Sequence, residues 1–309
     1  MSLVGEFVAE MMASAIRMGI PILLAALGAI FSERSGVINI GLEGMMMFGA
    51  FFGALGSYLG GPVLGLALAI AGGTALAFVH AMGSVTFRVN QIVSGVALNI
   101  LAYGCVRFSS ITIFKMATTS PHVAKLASID VPSLSRIPVL RPLFGGVSPM
   151  VPLAVCLALA SYWLIQRTVF GLRLRAVGEN PLAADTVGVP VPPLRYVGVL
   201  LSGALAGLAG AYLSIEHTGM YVEGMTQGKG YIALAATIFG DWSPLRASAV
   251  AMLFGFAESL SFRVVEGGTI PYQFIKMIPY AMTLAVLAGV VGRSRPPASS
   301  GVPYEREGE

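Results

Sequence analysis

The sequence predicts an all-α polytopic membrane protein of about nine transmembrane helices, arranged as two inverted repeats with broken helices. Three observations predict it. Of 309 residues, 56% are hydrophobic and only 11% are charged, against roughly 25% charged in soluble domains. Apolar stretches of about 20 residues, the length a bilayer crossing needs, recur along the whole chain. A short polar island, Gly171–Gly188, stands between two of them. The 38 glycines fit this class, because small residues let membrane helices approach closely. The net charge of +4 says little about nucleic acid, since the basic residues mostly flank spans.

The start, Met1–Glu10, has two acids and no basic n-region, so the first span is expected to insert and remain. The candidate spans are 11–31, 37–58, 62–82, 91–113, 149–167, 194–214, 225–241, 244–262 and 272–292. Two of these are poor simple helices. The stretch 37–58 contains Asn39, Gly41, Glu43 and Gly44, and 225–241 opens on Thr226-Gln-Gly-Lys-Gly230. Such segments read as broken or re-entrant helices. A span, a broken span and two plain spans make up 11–113, and the same order makes up 194–292, with one span between. An odd number of crossings between the copies makes them antiparallel.

The permease domain is thus 1–292, with a first repeat 11–113, an extracytoplasmic loop 114–148, a cytoplasmic segment 168–193 and a second repeat 194–292. Arg167, Arg173, Arg175 and Arg195 place the island inside, together with Arg34, Arg88, Arg246, Arg293, Arg295 and Arg306. Lys115, Lys125, Arg136 and Arg141 fall in the outer loop, and Lys229, Arg263 and Lys276 near that face. The residues 293–309, rich in Pro, Ser, Gly and charge, are expected to be a disordered cytoplasmic tail.

Glu33 and Arg34 read either as solvated interface charges or as part of a functional turn. Asn39 and Glu43, four apart in an apolar context, share a helical face. A carboxylate inside a span must be paired, protonated or facing water. Glu43 therefore either lines a pathway or caps the broken helix by accepting backbone N–H groups. Met45, Met46 and Met47 read as packing. Gln91, Ser94 and Asn99 form a polar stripe suited to a neutral polar solute or to bonds between helices. Thr237 is a candidate pathway contact, and Trp242 an interfacial anchor. Cys105 and Cys156 read as buried small hydrophobes. No His/Cys cluster has metal-ligand spacing, with His80, His122 and His217 far apart, so no metal site is expected.

In the island, Asn180 reads as a helix cap and Pro181 as a first helical position. Gly178 and Pro181 split it into two short helices. Their small residues Ala176, Gly178, Ala183 and Ala184, edged by Arg173, Arg175 and Glu179, make a knob that fits a groove on a soluble partner.

Arg175-Ala-Val-Gly-Glu-Asn-Pro181, followed by the paired Ala183-Ala184, resembles the coupling segment of ABC importer permeases. Ser32-Glu-Arg-Ser-Gly-Val-Ile-Asn-Ile-Gly-Leu-Glu-Gly-Met-Met46 is similar to the signature of the branched-chain amino acid/ribose-type permease family. Ile238-Phe-Gly-Asp-Trp-Ser-Pro-Leu245 resembles its nucleoside-type branch. The resemblance runs from about Met18 to Gly292 and implies a type II-like ABC importer permease fold. It further implies a second, longer permease as partner in a heterodimer, an ATPase with two nucleotide-binding cassettes docking on Arg173–Val189, and an extracytoplasmic solute-binding protein. It places the chain in a bacterial plasma (inner) membrane.

The chain would be no enzyme and hold no cofactor, with ATP and Mg on the partner ATPase. It has no Gly-x-x-x-x-Gly-Lys-Ser/Thr loop of its own. The expected solute is a nucleoside, with simple sugars or riboflavin as alternatives. An ion-coupled transporter would call for paired intramembrane carboxylates, where the sequence offers chiefly Glu43, with Glu258 near a span end. An intramembrane enzyme would call for a nucleophile–base pair or a His-metal motif, and none is evident.

Overall fold

The computed structural model describes residues 3–129, 145–266 and 295–305, with the single positions 277 and 281. The described residues are almost wholly helical. In chain order they form α1 (Leu3–Arg34), α2 (Leu42–Gly60), α3 (Pro62–Ala81), α4 (Gln91–Phe114), α5 (Met150–Arg167), α6 (Val169–Glu179), α7 (Pro181–Thr186), α8 (Val191–Ala211), α9 (Lys229–Phe239) and α10 (Pro244–Glu266). Helices α3 and α8 each run on into a π-helical turn, Met82–Thr86 and Tyr212–Thr218.

Six of these, α1, α2, α3, α4, α5 and α8, are long and apolar enough to cross a membrane. The nine expected spans are thus met in part. The stretch 225–241 forms only the 11-residue α9, and 244–262 falls in the less apolar α10. The expected span 272–292, residues 130–144 of the outer loop, and Arg136, Arg141, Lys276, Arg293 and Arg306 lie outside the described residues.

Helices α1, α2 and α8 are the buried centre, while α3, α4 and α5 keep most of their surface open. Helix α1 packs mainly on α10 and α8, and α2 on α3 and α8. The close approach of α8 depends on missing side chains. A methyl group at Gly207 would lie 2.3 Å from the Ala69 carbonyl oxygen of α3, and one at Gly210 would lie 2.0 Å from that of Met46 on α2. In lipid, where no hydrophobic effect separates helix from solvent, such backbone contact is what holds helices together. Met45, Met46 and Met47 fill this core, as expected.

Three expectations are corrected. Cys105 and Cys156 are exposed on the outer faces of α4 and α5, because both sit on helices that pack through one side only. Trp242 is buried, its Nε1–H donating to a Glu33 carboxylate oxygen, so it joins two turns instead of anchoring at an interface. The tail is ordered where it is described, at 295–305, because it finds backbone partners in α6 and in the turn after α1.

Candidate functional site

Between α1 and α2 the chain is unwound over residues 35–41. Most of this segment is buried, and buried unwound backbone must find hydrogen-bond partners elsewhere in the protein. The sequence-predicted polar residues supply them. Gln91 accepts the Ile38 N–H through Oε1 at 2.7 Å. His80 is 3.0 Å from the Ile38 carbonyl through Nε2 and 3.1 Å from Ser94 Oγ through Nδ1. Asn99 donates to the Ile40 carbonyl at 3.0 Å and accepts the Gly44 N–H at 2.8 Å. Asn39, fully buried, donates to Ser202 of α8 at 2.9 Å.

A second unwound stretch precedes α9, and Glu43 joins the two. Its Oε1 accepts the Gly228 N–H and its Oε2 the Gly230 N–H, each at 2.8 Å. These are orphan donors at a helix N-terminus, where a negative charge is favoured. Glu43 therefore caps a helix, although the helix is α9 and not its own. The fit is close: a methyl at Gly230 would lie 2.6 Å from the Glu43 nitrogen. Lys229, between these two glycines, is buried and pairs with Glu258 at 2.7 Å. Thr237 is also buried, donating to the Ala26 carbonyl of α1 at 3.2 Å and to that of Ala233 at 3.0 Å.

One end of these elements is tied together by the residues that follow α4. Ser120 N–H donates to the Tyr221 carbonyl, Val123 to Gly219, and Glu223 to Thr118. Tyr221 is buried there against Phe51, and burial, with Glu223 nearby, pushes its phenol above the ordinary tyrosine value.

At the other end the polar island is two short helices, α6 and α7, as read from Gly178 and Pro181. Asn180 caps α7 by accepting the Ala183 N–H at 3.0 Å, and Pro181 opens it. Arg173, Glu179, Asn180 and Ala183 are exposed, and Arg175 and Pro181 are half-buried. Exposed Leu172, Leu182 and Val187 add an apolar component that the sequence reading did not weigh. Gly178 and Ala184 are corrected: both are buried inside the chain. A methyl at Gly178 would lie 2.3 Å from the Arg34 carbonyl oxygen, so the glycine is there to let α6 touch the end of α1. Ala184 packs with Leu174, Val177 and Val191.

Glu33 is buried and Arg34 half-buried, and both are bonded within the chain. Glu33 holds Trp242, and Arg34 donates to the carbonyls of Asp241 and Trp242, both at 3.2 Å. The tail completes this end. Ser299 donates through N–H (2.9 Å) and Oγ (2.6 Å) to the Gly178 carbonyl, and Gly301 N–H donates to the Gly36 carbonyl at 3.2 Å. Buried Arg195 donates to the Val302 carbonyl at 3.0 Å and lies 6.0 Å from the Tyr304 ring centroid.

Sequence reasoning missed His80, Ser202, Lys229, Arg195 and the tail. A polar residue inside an apolar span was the available signal for the first two. Among the described residues no group of three or more His, Cys, Asp or Glu could hold a metal ion.

Comparison with known proteins finds a family and full-length relatives. The model of the family described as "Branched-chain amino acid transport system / permease component" matches residues 11–287. The guanosine ABC transporter permease protein NupQ of Bacillus subtilis is 42% identical over 92% of this chain and 92% of its own. The nucleoside ABC transporter permease protein NupC of Lactococcus lactis subsp. cremoris is 37% identical over 92% of this chain and 93% of its own. NupP of Bacillus subtilis, also named a guanosine ABC transporter permease protein, is 28% identical over 85% of this chain and 77% of its own. A multi-pass helical protein with two unwound segments clamped together, matched over nearly its full length, this chain belongs to the branched-chain amino acid transport system permease family.

Proposed function

We propose that the chain is one permease subunit of an ATP-driven ABC importer that carries nucleosides across a bacterial plasma (inner) membrane. The observation that carries this reading is the full-length similarity to a guanosine permease and a nucleoside permease. That two different guanosine permease chains of one organism are both similar supports a second permease subunit as partner in a heterodimer. ATP and Mg act on a separate ATPase, and an extracytoplasmic binding protein delivers the solute.

The two unwound segments, joined by Glu43, support an inverted-repeat architecture of about nine helices, in which solute sites lie where broken helices meet. On this reading Asn39, Glu43, Gln91, Ser94 and Thr237 shape the pathway by holding its backbone, and Asn99 also reaches its surface. The exposed faces of α6 and α7, with Arg173, Arg175, Glu179, Asn180, Pro181 and Ala183, receive the ATPase; Gly178 and Ala184 support them from beneath.

The test is guanosine uptake into proteoliposomes holding this chain with its partner permease, the ATPase and the binding protein. Uptake that requires Mg-ATP and all subunits supports the proposal. Guanosine uptake by this chain alone, with no ATPase, overturns it.

A further inference from the structure

The outer half of α4 carries a polar ribbon on a surface that is otherwise apolar. Asn99, Tyr103 and Arg107 follow one another at four-residue intervals, so they line one side of the helix. Tyr103 and Tyr231 are 42% and 48% exposed, and the Arg107 side chain is 50% exposed. Asn99 Nδ2 donates to the Tyr231 hydroxyl at 2.9 Å, which bridges α4 to α9. Arg107 Nη1 donates to the Tyr103 hydroxyl at 3.4 Å and lies 3.4 Å from a Glu223 carboxylate oxygen. Beside them Gly104 has open space where a side chain would stand. The rest of the exposed face of α4 is mostly apolar, with Val93, Ile100, Phe108, Ile111 and Ile113 among its residues, which suits lipid.

An exposed guanidinium within a span does not face hydrocarbon, because charged groups in spans turn to water or to one another. The ribbon also lies where both unwound segments meet. Asn99 holds Ile40 of the first and Gly44 just after it, while Glu223 lies within the second and Tyr231 just after it. These groups match one kind of solute. Two half-exposed phenol rings offer flat apolar faces to a planar heteroaromatic base. The Tyr103 and Tyr231 hydroxyls and the Arg107–Glu223 pair offer donors and acceptors to ring edges and to sugar hydroxyls.

We propose that Asn99, Tyr103, Arg107 and Tyr231 form the wall on which the permease recognises its solute, with the base of a nucleoside stacked on the tyrosine rings. The proposal rests on the nucleoside-importer reading and adds the residues that select the solute. Asn99 acts twice, as a brace for the unwound backbone and as the group that holds the Tyr231 hydroxyl in place. The second permease subunit closes the pathway opposite this wall without filling it.

The test uses the assembled transporter in nanodiscs, with Cys105→Ser and Cys156→Ser to remove the two exposed thiols. In that background Tyr103→Cys is expected to react with a water-soluble, cationic methanethiosulfonate, and saturating guanosine is expected to slow the reaction. In transport, Tyr231→Leu is expected to raise KM for guanosine about tenfold, the range for losing one stacked base. Tyr231→Phe keeps the ring and loses one neutral hydrogen bond, so its KM rises about threefold. A thiol at 103 that does not react, or that guanosine fails to protect, overturns the proposal and leaves this face to lipid or to the second subunit. An unchanged KM in Tyr231→Leu overturns it equally, as does loss of the permease pair with normal KM in the pairs that remain. If the parent complex itself shows no ATP-dependent guanosine uptake, the importer reading fails instead.

Discussion

Replacing Glu43 by Gln should loosen the joint between the two unwound segments. The carboxylate accepts two backbone N–H groups of the α9 N-terminus, Gly228 and Gly230, each at 2.8 Å, and it is only 8% exposed. A hydrogen bond to a charged group contributes about 1.5–3 kcal/mol. Gln keeps one acceptor oxygen but turns its NH2 toward the other N–H, so one bond is lost and two donors face each other. The favourable charge at the α9 N-terminus, about 0.3–1 kcal/mol, goes as well. The expected loss is about 3 kcal/mol. At roughly 2 °C per kcal/mol for a chain of this size, the unfolding midpoint in detergent falls by about 6 °C. Nothing similar is expected in the affinity for solute, since both carboxylate oxygens are occupied inside the chain. A Glu43→Gln variant with the parent's midpoint and a raised KM would refute the reasoning, and would make Glu43 a solute contact.

Two further outcomes are expected. Gly210→Ala places a methyl 2.0 Å from the Met46 carbonyl, which rigid helices cannot absorb; the cost is about 1–3 kcal/mol or more, read as a lower midpoint and less folded protein in the membrane. Leu182→Asp puts a charge on an exposed apolar residue of α7, so the midpoint stays within about 1 °C, as for surface changes generally, while ATPase recovered with the affinity-purified permease falls.

Much of the fold was legible because its signals are local. Apolar length marked the spans, and Asn180 with Pro181 marked the start of α7. The interruptions before α2 and α9 were legible only in part: Asn39, Gly41 and Gly228 do fall in them, but Glu43, Gly44 and Gly230, read with them, lie inside α2 and α9. What could not be read was which groups meet. Glu43 was seen to have a capping option, but its partners lie 185 and 187 residues away. Gly178 and Ala184 read as a surface knob because smallness is ambiguous: a small residue suits a groove on a partner and close packing within the chain alike. The tail failed for a related reason. Its composition resembles unstructured chain, yet its hydrogen bonds are mostly made by backbone groups, which composition does not report.

That tail changes the mechanics of one contact. Gly178 rests directly on the Arg34 carbonyl, and a van der Waals contact of this kind resists compression but not separation. The helix pair could push on the end of α1 through it and could never draw α1 back. Ser299 bound to Gly178, and Gly301 bound to Gly36 two residues on, form a tether across the same gap. With it the joint bears tension as well as load, and a displacement of α6 in either direction reaches the unwound segment that begins at Ser35.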